Sequence, residues 1–223
     1  MSEIKATLLD SMGSDLTVSN AARVSFGKNR KEFLYKGDPR VRPSGRSDEE
    51  LIQDMAVEEH TSPFGHCFAS FHVKAPIFVA RQLVKHKFLR WNEISRRYVD
   101  DEPEFYVPKQ WRGKSKDKKQ GSEGFVHTKA DPSFVDYTTL RVYKELLEDG
   151  VAPEMARMVL PQSMFTEWWW SGSLDAFADM CNLRLKQDSQ YESRLVAQQI
   201  SEEMERLYPV SWKALVKGEF NDK

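Results

Sequence analysis

The fold of this chain is decided by the stretch Cys67-Phe68-Ala69-Ser70-Phe71-His72-Val73-Lys74-Ala75-Pro76. Apolar side chains occupy every second position from Cys67 to Ala75, and most positions between them are polar. Side chains of a strand alternate between two faces, so the pattern predicts a β-strand with one strongly apolar face. Pro76 is typical of a first helical position, where its missing N–H costs nothing. The stretch therefore predicts a strand that passes directly into a helix.

The predicted helix ends in a cationic segment. Its buried side is expected to carry Ile77, Ala80, Leu83 and Val84. Gln82 and Lys85 are three residues apart and share one face. The chain continues as Lys85-His86-Lys87-Phe88-Leu89-Arg90-Trp91-Asn92-Glu93-Ile94-Ser95-Arg96-Arg97-Tyr98, which we predict to form a loop. So much charge is too costly to bury in a core, and a purely solvated face would not require Trp91 and Tyr98. The segment is therefore a candidate binding site.

Shorter patterns predict the other elements. We expect a strand over Ile4–Leu9, a helical turn over Ser19–Ser25, a polar loop over 27–46 and an exposed, mobile polar insertion near 111–131. Ser47 and Glu50 form a capping box ahead of a helix. Further helices are expected from Pro132 to Gly150, after Pro153, after Ser173 and over the last apolar stripe, and Trp168-Trp169-Trp170 is interpreted as packing residues on a helix. The order predicts a single α+β domain over residues 1–223, an antiparallel sheet packed with helices.

Composition excludes several classes of protein. The chain has 223 residues and a formal net charge of -1, which gives no general attraction to nucleic acid or anionic membranes. Two cysteines without a CxxC pair, no secretory signal and no membrane-length apolar run predict a cytoplasmic protein. We expect the basic stretch Lys109–Lys119 to be a solvated loop, so no nucleic-acid partner is predicted. His60, His66 and His72 are six apart, which fits neither common zinc pattern, so no metal site is predicted.

The cationic segment resembles the defining motif of flavin-dependent thymidylate synthases. In that family an Arg-His-Arg triplet is followed after seven residues by Ser, with Asn-Glu before the Ser and Arg-Tyr behind it. This chain keeps the spacing, with Lys85-His86-Lys87, Asn92-Glu93, Ser95 and Arg97-Tyr98. It departs in both triplet lysines and in Arg96, where the family usually has a small residue. Further matching segments are Ala21–Phe26, His60–His66, Phe71–Gln82, Ala156–Pro161 and Asn182–Arg184.

The resemblance implies a reaction and an assembly. The family makes dTMP by reductive methylation of dUMP, with methylenetetrahydrofolate as carbon donor, NADPH as reductant and bound FAD. It implies the single-domain thymidylate synthase-complementing fold and a homotetramer whose sites combine several subunits.

The resemblance also assigns roles to individual residues. Arg184 is expected to act as the catalytic residue, because its cation would stabilise uracil deprotonated at N3. The other residues expected to bind dUMP are Gln82, Lys85, Glu93, Ser95, Arg96 through its amide, Arg97 and Arg157. The residues expected to bind FAD are Ser62, Lys85, His86, Lys87, Glu93 and Ser173. Fixed cations and N–H groups suit the phosphates of both ligands.

Two features bear on this interpretation. Asp175 and Asp179 stand where many members have an Arg and an Asn that contact FAD, which puts phosphate binding along that helix in question. Cys67 and Cys181 both fall on apolar faces, so we predict inert thiols and a mechanism without a protein nucleophile. Two alternatives stay open, a diverged flavoprotein with altered activity and a nucleotide-binding protein that is not an enzyme. Bound flavin would distinguish either flavoprotein from the nucleotide-binding protein that is not an enzyme. Turnover of dUMP would distinguish the synthase from the diverged flavoprotein.

Overall fold

A computed structural model describes residues 3–26, 47–99, 101–116 and 121–217. The strands in these ranges are β1 Lys5–Met12, β2 Phe68–Pro76, β3 Leu89–Glu93, β4 Trp111–Lys114, β5 Ser122–Val126 and β6 Phe165–Ser173. The helices are α1 Asp15–Arg23, α2 Asp48–Val57, α3 Ile77–Leu83, α4 Pro132–Glu148, α5 Pro153–Ala156, α6 Leu174–Arg184, α7 Tyr191–Leu207 and α8 Pro209–Leu215. The predicted polar loop over 27–46 lies outside the described residues. None of the helices in these ranges combines the length and the apolar character that a membrane span requires.

The main sheet has four antiparallel strands in the order β1-β2-β6-β3. Phe71 pairs with Leu8 on one side and with Trp170 on the other, and Trp170 in turn pairs with Trp91. Helices α6 and α7 pack on the apolar face, where the rings of Phe71 and Phe177 meet edge to face at 5.3 Å. The predicted α+β class, with an antiparallel sheet packed with helices, is confirmed.

Strand β2 has the predicted alternation. Ala69, Phe71, Val73 and Ala75 are buried, whereas Ser70, His72 and Lys74 are only partly buried on the opposite face. Both cysteines lie in the core, as predicted. The Cys67 thiol donates to the Ser14 carbonyl oxygen at 3.4 Å. Burial raises the pKa of Cys67 to about 11 and raises that of Cys181 further, so both thiols stay protonated at neutral pH.

The three tryptophans form part of a strand, so the interpretation as a helix was wrong. In β6 the side chains alternate, and Trp168 and Trp170 are each 1% exposed while Trp169 is 51% exposed. Aromatic residues suit a pleated, half-buried surface, and here cross-strand packing decides the conformation. Trp91 stacks on Trp168 with ring centroids 4.2 Å apart. The same contact explains β3, which was predicted as loop, since β3 pairs along β6.

Helix boundaries follow the local signals in most places. The Glu50 amide donates to Ser47 Oγ at 3.1 Å and the Ser47 amide donates to the Glu50 carboxylate at 2.6 Å, which confirms the capping box. Asp131 caps α4, and Gly150 follows this helix with a φ of 82°. Helix α1 spans Asp15–Arg23, so the predicted helical turn over Ser19–Ser25 began too late.

The region predicted as an exposed insertion contains a β-hairpin, formed by β4 and β5. β5 is exposed along its whole length, and Phe125 is 72% exposed. On β4, however, the side chain of Arg112 reaches the buried carboxylate of Glu192 in α7. The hairpin is therefore attached to the helical layer through an ion pair.

Candidate active site

The predicted triplet lies in a tight turn between α3 and β3. Leu83 is the last residue of α3, and its carbonyl oxygen accepts a hydrogen bond from the His86 amide at 3.1 Å. Phe88 has a φ of 63°, a left-handed conformation that is uncommon for a residue with a bulky side chain. The turn holds His86 against the end of α3, and it leaves Lys85 and Lys87 exposed.

A close approach between β3 and β6 determines where this turn lies. Gly172 pairs with Leu89 across the two strands. A Cβ atom at Gly172 would overlap the Leu89 side chain and would lie 3.2 Å from the Phe88 carbonyl oxygen. A glycine at this position therefore allows β3 to approach β6 closely. Because the triplet directly precedes β3, this approach also determines the position of the triplet.

His86 and Arg184 are brought together from distant parts of the chain. Arg184 is the last residue of α6, and its Nε donates to His86 Nε2 at 2.9 Å. Arg184 Nη2 also donates to the Gln82 carbonyl oxygen at 3.4 Å. Two of the residues assigned by resemblance, one to the flavin and one to uracil, thus share a direct hydrogen bond.

The electrostatics of this pair keep the histidine neutral. Burial, followed by the positive charge of Arg184, lowers the pKa of His86 to about 4. Burial also lowers the pKa of Arg184. Since His86 Nε2 accepts a hydrogen bond, the proton of the neutral imidazole must reside on Nδ1. His86 is therefore an uncharged partner that orients the guanidinium.

Gln82 lies one turn before the triplet and faces α7. Its amide NH₂ donates to Gln190 Oε1, and its Oε1 accepts from Ser193 Oγ at 3.3 Å. The side chain predicted to bind dUMP is thus held by two residues of the helical layer. Its backbone oxygen meanwhile supports Arg184.

Glu93 ends β3 with both carboxylate oxygens engaged. Thr166 Oγ1 donates to one oxygen at 2.7 Å, and Trp91 Nε1 donates to the other at 3.1 Å. These bonds fix the orientation of the carboxylate at the rim of the sheet. Each oxygen retains a lone pair for a ligand.

Ser95, Arg96 and Arg97 follow β3 in a turn. The amides of Tyr98 and Val99 donate to the Ser95 carbonyl oxygen at 3.0 and 3.2 Å. Arg96 is buried, and its guanidinium forms an ion pair with Asp101 at 2.9 Å. Arg97 is exposed, with its guanidinium 5.1 Å from the centroid of the Tyr98 ring. The cation of Arg96 is therefore used internally, and its backbone amide is the group left for the predicted phosphate contact.

The remaining predicted residues, Ser62, Arg157 and Ser173, have surroundings of their own. Ser62 is exposed in the turn before Phe64, and Arg157 is exposed with its Nε donating to the Glu154 carbonyl oxygen at 3.3 Å. Ser173 precedes α6 as its N-cap, yet its hydroxyl makes no capping hydrogen bond to the helix. Among the described residues, no hydrogen bond or ion pair links Ser62, Arg157 or Ser173 to Arg184.

A cavity of about 580 Å³ lies between α2, the turn at Thr61–Phe64, α6 and α8. Its polar lining includes Asp179, Asn182, Lys186 and Lys217. Burial, together with the nearby charge of Asp175, raises the pKa of Asp179. Asp175 Oδ1 is itself buried without a hydrogen-bond partner. Two mutually repelling carboxylates do not suit a pyrophosphate, so this part of α6 does not fit that portion of FAD.

Sequence reasoning missed a buried carboxylate in the first turn of α7. Glu192 is 2% exposed and lies on the same stripe as Val196 and Ile200. It accepts hydrogen bonds from Arg112, Tyr106 and Gln190. A glutamate on an otherwise apolar stripe was the available signal, because a buried carboxylate requires donors. Within the described residues, no three His, Cys, Asp or Glu side chains form a possible metal site.

The fold and this polar centre define a class, namely an α+β protein with an arginine–histidine pair between a sheet edge and its helical layer. The model of the family described as thymidylate synthase complementing protein matches residues 7–210. The chain belongs to the flavin-dependent thymidylate synthase family, a family of enzymes, as its sequence predicted.

Individual relatives agree with this assignment. The flavin-dependent thymidylate synthase of Thermus thermophilus is 39% identical over 220 residues, which cover 96% of this chain and 77% of the relative. That of Thermosipho africanus is 35% identical over 216 residues, covering 94% and 90%. The crystal structure of the UMP/dUMP methylase PolB from Streptomyces cacaoi, bound with 5-Br dUMP, has a TM-score of 0.81 at 31% identity. That match covers 96% of this chain and 94% of PolB.

Proposed function

We propose that this chain methylates dUMP to dTMP, with methylenetetrahydrofolate as the carbon donor, NADPH as the reductant and FAD as the bound cofactor. The observation that carries the proposal is the hydrogen bond between Arg184 and His86, which joins the end of α6 to the motif turn. The family assignment supports the same reaction.

Arg184 is the residue we assign to the uracil. A cation beside N3 favours the deprotonated ring, because it stabilises the negative charge that remains. That charge makes the ring carbon a stronger nucleophile toward the transferred one-carbon unit. The Nη1 group makes no hydrogen bond to any described residue, so it is left for a ligand.

His86 and Gln82 act on Arg184 in this scheme. The neutral imidazole accepts from Nε and the Gln82 carbonyl oxygen accepts from Nη2, so two contacts fix the plane of the guanidinium. A protonated His86 would repel Arg184 and would have no lone pair on Nε2 to accept the bond. Its low pKa therefore preserves the geometry at neutral pH.

The residues around the triplet fit a flavin better than those along α6. Lys85 and Lys87 are exposed and have no ion-pair partner among the described residues, and His86 and the Ser173 hydroxyl, which does not cap α6, offer further polar groups. Bound flavin supplies a route for electrons from the nicotinamide to the transferred carbon. We assign its binding to Ser62, Lys85, His86, Lys87, Glu93 and Ser173, and we place its phosphates away from Asp175 and Asp179.

We assign dUMP binding to Gln82, Lys85, Glu93, Ser95, the Arg96 amide, Arg97 and Arg157, with sites shared between subunits of a homotetramer. Two observations support sharing. Ser62 and Arg157 are not bonded to the Arg184 centre within one chain, and the outer face of the sheet exposes Phe68 at 43% and Trp169 at 51%. The solution mass, measured by light scattering, tests the tetramer, and a monomer would exclude it.

The activity is tested with FAD-loaded protein, dUMP, methylenetetrahydrofolate and NADPH, by chromatography of the nucleotide product. We expect dTMP in amounts exceeding the enzyme, and equimolar bound flavin after gel filtration. UMP serves as the competing substrate, because PolB is described as a UMP/dUMP methylase. Folded, flavin-loaded protein that forms no dTMP would overturn the proposal in favour of a diverged flavoprotein. Protein that binds no flavin would leave only nucleotide binding.

A further inference from the structure

The buried carboxylate of Glu192 connects the β4–β5 hairpin to the helical layer. Arg112 Nη2 lies 2.8 and 2.7 Å from its two oxygens, and Tyr106 donates to it at 3.0 Å. Burial would raise the pKa of Glu192, but the hydrogen bonds and charge of Arg112 outweigh burial and lower it. Arg112 is itself braced by Ser122 on the neighbouring strand, at 2.9 Å. Glu192 is therefore an ionised, fully engaged acceptor.

Because Glu192 can only accept hydrogen bonds, it determines the orientation of the side-chain amides of Gln190 and Gln82. An ionised carboxylate only accepts, so Gln190 must direct its NH₂ toward Glu192, which it does at 3.2 Å. Gln190 then presents its oxygen to Gln82, and Gln82 donates with its own NH₂. The Gln82 oxygen consequently faces Ser193. One carboxylate thus determines which way two amides point.

Gln82 is where this chain of amides reaches the candidate active site. Its backbone oxygen accepts from Arg184, and His86, one turn further on, accepts from the same guanidinium. Gln82 thus links α7 to the support of Arg184.

We propose that Arg112 and Glu192 are positioning residues, which hold Gln82 and thereby orient Arg184 toward the nucleotide. The inference rests on the function proposed above, because Arg184 is assigned to uracil there. It gives the hairpin a role in dUMP binding, although the hairpin contributes no residue to the predicted site.

The test is Glu192→Gln, measured by calorimetric titration of dUMP and by KM and kcat. Arg112 Nη2 contacts both carboxylate oxygens, so either orientation of a glutamine amide would place NH₂ against the guanidinium. We expect the Kd and KM for dUMP to rise about tenfold, the factor that corresponds to one unmet buried hydrogen bond, and kcat to fall as well because Arg184 also acts on the bound uracil, with equal flavin content.

Two variants serve as controls. Glu203→Gln makes the same substitution on an exposed ion pair of α7 and should leave KM unchanged. Tyr106→Phe removes one donor without changing the polarity of the carboxylate, so its effect on KM should be smaller than that of Glu192→Gln.

If Glu192→Gln fails to fold, Arg112→Gln combined with Glu192→Gln removes both charges and restores neutrality. A double variant that regains the melting temperature but not the dUMP affinity supports positioning. Recovery of both, or an unchanged Kd in folded Glu192→Gln, would show that the pair is only structural. A parent enzyme that neither binds nor converts dUMP would overturn the proposed function itself, and the inference with it.

Discussion

Arg184 Nε and His86 Nε2 are 2.9 Å apart, although 98 positions separate the two residues in the chain. The bond closes α6 against the turn that follows α3. It also requires a neutral His86 with its proton on Nδ1, because the imidazole can accept only while Nε2 carries no proton.

Replacing Arg184 should separate turnover from flavin binding. Arg184→Ala removes the cation assigned to uracil, and loss of a charge-assisted hydrogen bond costs about 1.5–3 kcal/mol, so dTMP formation should drop at least about tenfold. The bound flavin, measured by its absorbance after gel filtration, should change less. Arg206→Ala, on an exposed arginine of α7, is the matched control. Unchanged turnover of Arg184→Ala at saturating dUMP would remove Arg184 from the site.

His86 should make stability depend on pH in a defined window. Its pKa in the folded protein is about 4, below the ordinary value of 6.5, so the unfolded chain binds the proton more readily. Stability is therefore lost as the pH falls from about 6.5 toward 4, and it is constant with respect to this group above that window. Urea unfolding of the parent and of His86→Gln between pH 7 and pH 4 measures it. Parallel curves for the two proteins would contradict the low pKa.

The triplet lysines should affect ligand binding and not folding, because both are exposed. The double variant Lys85→Arg, Lys87→Arg introduces a planar guanidinium at each position. It should bind FAD or dUMP more tightly, because Arg binds phosphates bidentately. Replacing either lysine by Ala should weaken binding sharply, because the charge is lost. Titration of both ligands measures this, with Lys213→Ala on α8 as the control. Alanine variants that bind like the parent would show that the triplet does not line the site.

The cysteines should prove dispensable for the chemistry. Both are buried, with pKa values raised by burial, so neither is a thiolate at neutral pH. The double variant Cys67→Ala, Cys181→Ala should keep dTMP formation apart from a loss of stability, and the native thiols should resist a disulfide reagent until denaturant is added. Loss of turnover in folded, flavin-loaded double variant would point to a protein nucleophile.

Gly172 should be sensitive to the smallest substitution. Gly172→Ala places a methyl group against Leu89 and the Phe88 carbonyl oxygen, and such overpacking costs about 1–3 kcal/mol. Because β3 carries Glu93, dUMP affinity should decrease together with the free energy of unfolding in urea. Gly65→Ala, where a Cβ would meet nothing within 4 Å, is the control for stability. Equal unfolding free energies for both variants would mean that β3 can move away from β6.

The sequence by itself determined the family, the α+β class and the alternating strand β2. Each of these is encoded locally, in the spacing of Lys85-His86-Lys87 to Ser95 or in the alternation that begins at Cys67. The same alternation showed that Cys67 is buried, since a strand face is defined by every second residue.

Only the tertiary structure decided the conformation of Trp168-Trp169-Trp170 and the partners of Glu192. Three adjacent tryptophans suit a helix or a strand, and pairing with β2 and β3 selects the strand. Glu192 is visibly a carboxylate on an apolar stripe, but its cation, Arg112, is 80 positions away on a hairpin. Periodicity reports which face of an element is buried, whereas the group that meets a buried charge depends on how the elements pack.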